Sequence, residues 1–372
     1  MPVRCAIVPP VPVPYRDPLF ELLAQRGRMD ARVIYLSARQ PGWDMRPEWF
    51  STGHRYPHEI LPSRQRPRPG RSPLVLPSGL GNALSRQDPE CVVSWEFGPA
   101  TWRALLWCRR RSLPLVVFSE LTPWSDPALS GAQLRVHRAL APRLDGFLVA
   151  SGQGRERLTA LGVDSGRIEV ALQSADLEPF LALSPRDGVQ APVRVLCVGR
   201  LVADKNLATL IAAFAAAGFA WDEAELLLAG TGPLEEELRS AARASGARVS
   251  FCGYVAPQEL PQLYGSVDVM ALVSSHEPFG VAMREGAAAG LALLCTERAG
   301  AAGDVAVEGE NALVVDPGNR EEITQALSLL VREPELRRRL ADGSRAVTAR
   351  HPLEADAEAW ERAVLRATGR LS

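Results

Sequence analysis

The chain contains a single lysine, Lys205, among its 42 lysine and arginine residues. A bias this strong is typical of a GC-rich genome, in which lysine is replaced by arginine wherever charge alone matters, and a bacterial source is expected. Lys205 and Arg200 follow the apolar run Val193–Val198 directly. An ammonium is a compact point charge and a guanidinium is a wide planar fork, so a narrow anion pocket can require lysine. The segment therefore predicts a site where Arg200 and Lys205 contact two phosphates, with Gly199 letting the backbone turn closely.

Two glutamates, Glu277 and Glu285, stand eight positions apart on either side of Gly280. The pattern predicts a helix that begins at about Gly280 and stops at Gly290, and its first backbone N–H groups would form an anion site. Glu285 can accept two neighbouring hydroxyls, as on a ribose, and Glu277 can accept hydroxyls beyond the phosphates. The alternative interpretation is that Glu277 only complements the helix dipole and that Glu285 is solvated.

A third segment, from Gly230 to Pro233, predicts a turn between a strand and a helix. It is not a dinucleotide fingerprint, because Glu235 occupies the place of the third glycine. On its own this turn is either part of the anion site or purely structural.

Short β-rich runs alternate with amphipathic helical stretches along the whole chain, which is typical of parallel α/β units. The alternation breaks between Glu178 and Pro192, and 372 residues exceed what one core normally supports. In doubly wound domains ligands bind beyond the carboxyl ends of the strands, which is where the three segments fall. The sequence predicts two doubly wound, Rossmann-like domains facing a central cleft, divided into residues 1–180, a linker over 181–191, residues 192–351, and a helix over 352–372.

The predicted strands of the first half are Arg4–Val8, Ala31–Leu36, Cys91–Trp95, Leu115–Ser119, Gly146–Ala150 and Ile168–Leu172. Those of the second half are Val193–Val198, Glu225–Ala229, Val249–Cys252, Val267–Leu272, Ala292–Cys295 and Ala312–Val315. The stretch from Pro62 to Gly81 is rich in Pro, Arg, Gly and Ser and predicts a long loop.

Arg200 and Lys205, together with Glu277-Pro-Phe-Gly and Glu285, resemble the retaining glycosyltransferases of family 4, the group 1 family with a GT-B fold. The resemblance runs from about residue 193 to residue 331 and includes the Gly230-Thr-Gly-Pro turn. It implies that Arg200 and Lys205 hold the diphosphate of a nucleotide sugar donor, that Glu285 binds the ribose, and that Glu277 contacts the transferred sugar.

The same resemblance implies further donor contacts and a position for the C-terminal helix. The base lies against the loop after the third strand of the second domain, near Tyr254 and Val255. The backbone amides around Phe279, Gly280 and Val281 face the sugar and the diphosphate. The C-terminal helix packs back towards the N-terminal domain.

The first half departs from the family in two places. Many members carry a Gly-Gly loop after the first strand, whereas this chain has a proline-rich segment that ends in Arg16. Arg16 is a candidate for the missing phosphate contact. Many members also place a histidine after the fourth strand, where this chain has Glu120. Glu120 is predicted to hydrogen-bond the donor sugar or the acceptor hydroxyl; the alternative is that it caps a turn.

The composition of the chain indicates which classes of partner to expect and in which cellular compartment the protein resides. A net charge of −1 gives no general basic field for nucleic acid. The six cysteines lie mostly in apolar runs without a Cys-x-x-Cys pair, and no stretch has the ~20 apolar residues that span a bilayer, which favours a reduced, cytoplasmic protein. The arginines from Arg64 to Arg71 are expected to lie in a solvated, mobile loop; the alternatives are contact with acidic lipid, on the inner face of a membrane, or with an anionic acceptor.

The resemblance implies a metal-independent, retaining enzyme that moves a hexosyl unit from a UDP- or GDP-type sugar to an acceptor hydroxyl, with no cofactor besides the donor. The acceptor is a small molecule, a glycan or a lipid-linked sugar, in glycan, glycolipid or natural-product glycoside biosynthesis. Two alternatives remain open: an epimerase of the same fold acting on a sugar nucleotide, and a non-enzymatic homologue that binds nucleotide and supports a partner.

Overall fold

The computed structural model describes residues 1–39, 53–68, 71–183 and 191–371. It belongs to the α/β class, with one seven-stranded and one six-stranded parallel sheet and a separate two-stranded hairpin. Contacts divide the chain into two compact units, Met1–Asp176 with Pro352–Ser372, and Leu177–His351. The predicted fold class, with a parallel sheet in each half of the chain, is confirmed.

The first unit is built on the seven-stranded sheet. Its elements up to residue 170 are β1 (Val3–Val8), α1 (Asp17–Arg26), β2 (Met29–Tyr35), β3 (His58–Ile60), β4 (Ser63–Arg68), β5 (Arg71–Pro77), α2 (Leu80–Gln87), β6 (Cys91–Trp95), α3 (Pro99–Arg109), β7 (Leu115–Ser119), α4 (Gly131–Leu140), β8 (Gly146–Val149), α5 (Gly152–Ala160) and β9 (Ile168–Val170). The strand order of the sheet is β3-β2-β1-β6-β7-β8-β9. Consecutive residues of its inner strands are buried, as expected for parallel strands covered on both faces.

The second unit is built on the six-stranded sheet. Its elements are α6 (Glu178–Leu181), β10 (Val193–Val198), α7 (Leu207–Ala216), β11 (Ala224–Ala229), α8 (Glu235–Ser245), β12 (Val249–Gly253), α9 (Leu260–Tyr264), β13 (Val269–Leu272), α10 (Val281–Ala288), β14 (Ala292–Thr296), β15 (Ala312–Val315), α11 (Arg320–Arg332) and α12 (Pro334–Ala349). The strand order is β12-β11-β10-β13-β14-β15. The chain leaves the central strand β10 towards one edge and returns on its other side with β13, so the strand order reverses at β10. The carboxyl end of that strand is where open α/β sheets bind ligands.

The last helix, α13 (Leu353–Ala367), packs against the first unit, as predicted. Trp360 is fully buried and its ring lies 5.6 Å from that of Phe118 and 6.0 Å from that of Trp95. Asp356 accepts a hydrogen bond of 2.9 Å from the backbone N–H of Leu172, just after β9. Burial of a large aromatic ring and a buried polar contact together hold the helix against this sheet.

Two stretches differ from the prediction. The segment expected to be a long loop, Pro62 to Gly81, contains the antiparallel hairpin β4–β5, and α2 already begins at Leu80. Several prolines obscured the period-two pattern, but the hairpin tolerates them because it does not pair with a larger sheet. Of the predicted linker (residues 181–191), residues 184–190 lie outside the described residues, and Leu181 is the last residue of the short helix α6, Glu178–Leu181. Among the described helices, none combines the length and the hydropathy needed to cross a membrane.

Candidate functional site

Four loops meet at the carboxyl edge of the second unit's sheet. After β10, the carbonyl of Asp204 accepts a hydrogen bond of 2.9 Å from the backbone N–H of Ser275, which follows β13. The side-chain amide of Asn206 donates to the carbonyl of Val273 at 3.1 Å. After β11, the N–H of Gly230 donates to the carbonyl of the last residue of β12 at 2.7 Å. These contacts tie together the loops that carry the predicted site residues.

Lys205 forms an ion pair with Glu277, whose carboxylate also accepts a hydrogen bond of 3.4 Å from the Ser274 hydroxyl. The side chains of the ion pair are only 17% and 15% exposed. A Cβ placed on Gly199 would lie 3.2 Å from Cε of Lys205, so the lysine stem runs directly over the glycine backbone. The absence of a side chain at residue 199 therefore makes the room in which Lys205 reaches Glu277.

The turn from Gly230 to Pro233 packs backbone against backbone on the loop after β10. A Cβ on Gly230 would lie 1.9 Å from the Gly199 carbonyl oxygen, and one on Gly232 would lie 2.4 Å from that of Leu201. The N–H of Leu201 donates in turn to the carbonyl of Thr231 at 2.9 Å. This close approach of two backbones requires glycine at both positions. It favours the structural interpretation of the turn, in which the turn packs against the loop that carries Lys205 and supports it.

Helix α10 begins beside the ion pair. Gly280, its N-cap, has φ of 96°, a left-handed conformation in which a Cβ would meet the Leu272 side chain at 2.7 Å. Phe279 is 2% exposed and serves as a core anchor, while its carbonyl accepts from the N–H of Ala301 at 2.8 Å. Val281 opens the helix, so the N–H groups of this first turn supply the partial positive charge that the sequence predicts there.

Glu285 lies one turn further into α10, where it is partly buried and accepts a hydrogen bond of 2.8 Å from the Tyr264 hydroxyl. Burial raises the pKa of Glu285 to about 7, and the hydrogen bond from Tyr264 opposes that rise. Tyr264 is fully buried at the end of α9. The interpretation of Glu285 as a fully solvated side chain is therefore wrong. Sequence reasoning missed Tyr264, because nothing in the spacing of α9 and α10 shows that they meet.

The other predicted donor contacts occupy the same edge of the sheet. Arg200 is exposed and lies in the Lys205 loop, and its carbonyl accepts from the N–H of Val202 at 2.9 Å. Tyr254 and Val255 are partly buried and follow β12 directly. Their contact with a base stays a prediction.

In the first unit, the two predicted residues Arg16 and Glu120 are in contact with each other. Nη2 of Arg16 lies 2.8 Å from Oε1 of Glu120, and the Arg16 side chain is 6% exposed. The same oxygen accepts from Nε1 of Trp95 at 3.3 Å and from Nε2 of Gln173 at 3.2 Å. The guanidinium of Arg16 also lies 4.5 Å from the centre of the Trp95 ring. Three donors thus fix one carboxylate oxygen, and the role of Arg16 as a phosphate ligand stays a prediction.

A second carboxyl group, Glu96, holds the backbone beneath this cluster. It accepts hydrogen bonds from the backbone N–H of Glu120 at 2.6 Å and from the Ser119 hydroxyl at 2.8 Å. Burial raises the pKa of Glu96 to about 7, while the hydrogen bond from the Glu120 backbone opposes the rise. Glu96 and Gln173 were not predicted, because both act through residues distant in sequence.

Over residues 1–39, 53–68, 71–183 and 191–371, no group of three or more His, Cys, Asp or Glu side chains is placed to hold a metal ion.

Two family models match consecutive parts of the chain. The model described as glycosyl transferase 4-like domain matches residues 12–171, and the model described as glycosyl transferases group 1 matches residues 189–347. The second match contains all the predicted site residues of the second unit, and the first contains Arg16 and Glu120.

Curated relatives and solved structures agree with these models. The chain is 29% identical over 227 residues to a glycogen synthase of Mycobacterium tuberculosis, a match covering 60% of this chain and 54% of that protein. It thus spans about half the length of that relative. A GDP-mannose-dependent phosphatidylinositol dimannoside mannosyltransferase from the same species is 27% identical, with 77% of each chain covered. The Anabaena protein HepE, solved with UDP and glucose, matches with a TM-score of 0.73 at 17% identity, covering 96% of this chain and 97% of that one.

Proposed function

The chain belongs to the group 1, GT4-like glycosyltransferases, and we propose that it transfers a hexosyl unit from a nucleotide diphosphate sugar to an acceptor hydroxyl. The observation that carries the proposal is the placement of Lys205 against Glu277, beside the N-terminus of α10, at the carboxyl edge of the second unit's sheet. A cation, a carboxylate and a helix N-terminus together are what the diphosphate and sugar of such a donor require.

Catalysis in this proposal is electrostatic. As the nucleoside diphosphate departs, negative charge develops on its β-phosphate oxygens, and Arg200, Lys205 and the first amides of α10 stabilise it. When the donor binds, before the diphosphate departs, Lys205 exchanges its carboxylate partner for the phosphate, which leaves Glu277 to accept hydroxyls of the transferred sugar. The acceptor hydroxyl attacks the anomeric carbon from the side of the leaving group and gives its proton to the departing β-phosphate oxygen, so configuration is retained. No metal ion is needed to neutralise the diphosphate.

Glu285 gives the nucleotide its orientation in this proposal. Its carboxylate accepts the two ribose hydroxyls, and Tyr254 and Val255 contact the base. UDP and GDP are the first candidates, since HepE was solved with UDP and the mycobacterial mannosyltransferase is named as GDP-mannose-dependent.

The acceptor belongs to the first unit in this proposal, where Glu120 is the carboxylate for a hydroxyl of a small molecule, a glycan or a lipid-linked sugar. The hairpin β4–β5 supports peripheral contact with anionic lipid. Residues 60–87 contain five arginines and no acidic residue, and Arg64 and Arg66 are exposed. Co-sedimentation with phosphatidylglycerol vesicles at low salt, lost in the Arg64→Ser/Arg66→Ser variant, is expected; a wild-type chain that stays in solution would contradict this contact.

The function is tested by incubating the protein with UDP-glucose, UDP-N-acetylglucosamine, GDP-mannose and ADP-glucose, each with a mixture of simple sugar and lipid-linked acceptors. Release of the nucleoside diphosphate, with and without EDTA, measures transfer, and NMR of the product gives its anomeric configuration. We expect release from one donor, insensitive to EDTA, with the configuration retained. Conversion of the donor sugar without diphosphate release would favour the epimerase, and binding without turnover the non-enzymatic homologue.

A further inference from the structure

The carboxylate of Glu285 is the nearer of two hydrogen-bond acceptors of the Tyr264 hydroxyl. Tyr264 is fully buried, and its hydroxyl lies 2.8 Å from Oε2 of Glu285, while its other contact, to the carbonyl of Ala282, is longer at 3.4 Å. The ring is fixed by an edge-to-face contact with Phe180, with centroids 5.1 Å apart. A buried, fixed donor of this kind determines which way a carboxylate points, because breaking the hydrogen bond would leave the buried hydroxyl with only the longer contact to the Ala282 carbonyl.

We propose that Tyr264 is a positioning residue for nucleotide recognition: it holds one oxygen of Glu285 and thereby directs the carboxylate to the ribose hydroxyls. This inference rests on the proposed function, since it needs a ribose at Glu285. Tyr264 itself does not touch the nucleotide. Its effect is exerted entirely through Glu285, which distinguishes it from a residue that only fills the core.

The surroundings of Glu285 make Tyr264 the decisive partner. Helix α10 packs against α6, α12, β13 and β14. On α10 itself Arg284 donates to a backbone carbonyl at 2.9 Å, and on α12 Arg345 does so at 3.0 Å. The thiol of Cys295, on β14, donates a hydrogen bond of 3.5 Å to the backbone carbonyl of Thr296 in the same strand. Among the described residues, the Tyr264 hydroxyl is the titratable group that moves the pKa of Glu285, in the direction of the ionised form.

A pH dependence follows from this geometry. Below about pH 7 Glu285 carries a proton and is a weaker acceptor for ribose hydroxyls; above it the carboxylate is ionised. Removing the Tyr264 hydroxyl removes a stabiliser of the ionised form, so the pH at which ribose recognition sets in should rise. The midpoint of recognition therefore reports on Tyr264 even where the fold is unchanged.

The test compares the affinities for UDP and 2′,3′-dideoxy-UDP, or the same pair of whichever base binds, by calorimetry from pH 5.5 to 8.5. Their ratio cancels phosphate ionisation and general effects on the fold. In the wild type at pH 8 we expect a preference of about 10-fold or more for the ribonucleotide, since hydrogen bonds to a charged group are strong. Tyr264→Phe should reduce that preference roughly 3- to 10-fold and move its midpoint to higher pH, with the dideoxy affinity unchanged.

Two further variants keep the result decisive. Phe214→Leu, in the core at α7, loosens the packing of the second unit and leaves the Tyr264 hydroxyl and its Phe180 contact in place, so the ratio should not change. In a Glu285→Gln background, Tyr264→Phe should have no further effect on the ratio, because its partner is gone. An unchanged ratio in Tyr264→Phe, beside normal UDP binding, would overturn the positioning role alone. Failure of the wild type to bind any of the diphosphates would overturn the proposed function as well.

Discussion

Lys205 and Glu277, which are 72 residues apart in the sequence, form an ion pair at the carboxyl edge of the second sheet. Both side chains are largely withdrawn from solvent, and the lysine stem lies against Gly199. The ion pair thus brings together the residue assigned to the diphosphate and the residue assigned to the sugar. A donor that binds there would therefore break this ion pair, with its phosphate replacing Glu277 as the partner of Lys205 and its sugar replacing Lys205 as the partner of Glu277.

Replacing Lys205 with arginine keeps the charge but puts a planar fork where a compact ammonium lies. Because the stem is confined by Gly199 and the head by Glu277, we expect Lys205→Arg to lower kcat/KM about 10-fold or more, and Lys205→Ala about 100- to 1,000-fold. Initial rates of diphosphate release measure both. Arg332→Lys, at an exposed ion pair with Glu223, is the matched control and should retain wild-type rates. Wild-type turnover in Lys205→Arg would refute the argument from the single lysine.

Glu285 should lower the stability of the protein at neutral and alkaline pH. Its pKa is raised from 4.5 to about 7 in the folded state. The contribution of Glu285 to the free energy of unfolding is therefore most favourable below pH 4.5 and is lost as the pH rises through 7. Glu285→Gln should therefore raise the free energy of unfolding at pH 8 by about 1–3 kcal/mol relative to the wild type, and by much less at pH 5. Urea unfolding at both pH values measures it. Glu237→Gln, at an exposed position of α8, should show no such difference; a pH-independent effect of Glu285→Gln would contradict the assignment.

Glu120 should be needed to keep Arg16 buried. Removing the carboxylate leaves a guanidinium whose side chain is only 6% exposed without its charged partner, so Glu120→Ala should destabilise the first unit by about 3–5 kcal/mol. The Arg16→Met/Glu120→Ala double variant should cost clearly less than the sum of the two single variants. Thermal unfolding of all four proteins gives the coupling. The exposed ion pair of Arg4 and Asp88 is the control, and Arg4→Met should cost about 1 kcal/mol or less. Additive losses at Arg16 and Glu120 would show that the ion pair contributes nothing.

Gly230 should be required for the shape of the site. A Cβ there would overlap the Gly199 carbonyl, so Gly230→Ala should both destabilise the second unit by about 3 kcal/mol or more and weaken nucleotide binding. Gly246 also has a left-handed conformation, with φ of 68°, but a Cβ there meets nothing within 4 Å. Gly246→Ala should therefore cost only about 1–2 kcal/mol of backbone strain and leave binding intact. Thermal unfolding and calorimetry of the two variants test this, and equal effects would mean that the close approach is not what requires Gly230.

The alternation of the chain and several strands were predictable from sequence. Four strands have the bounds predicted for them, because a short continuous apolar run that ends at turn residues is typical of a buried parallel strand. They are Cys91–Trp95, Leu115–Ser119, Val193–Val198 and Ala312–Val315. The hairpin β4–β5 was not predictable, since its prolines argue against a strand unless the segment is known to stand apart from the larger sheets.

The candidate site was predictable only in part. The residue types and the spacing of Lys205, Glu277 and Glu285 were sufficient to predict them as site residues. Tyr264 and Glu96 do not, because each acts on a residue of another element, Glu285 and Glu120, 21 and 24 positions away. Such contacts arise when elements pack, and a single sequence carries no signal for which buried tyrosine or glutamate will meet which carboxylate or amide.

We propose that the carboxyl edge of the second unit binds a nucleoside diphosphate without a metal ion. The decisive measurement is thermal unfolding with UDP, GDP, ADP, CDP and dTDP, each with and without magnesium, since a ligand that binds only the folded state raises the midpoint by mass action. We predict that one diphosphate raises the midpoint equally with and without magnesium, and that Lys205→Ala abolishes the shift. No shift with any of the five would show that this edge of the sheet is not a nucleoside diphosphate site.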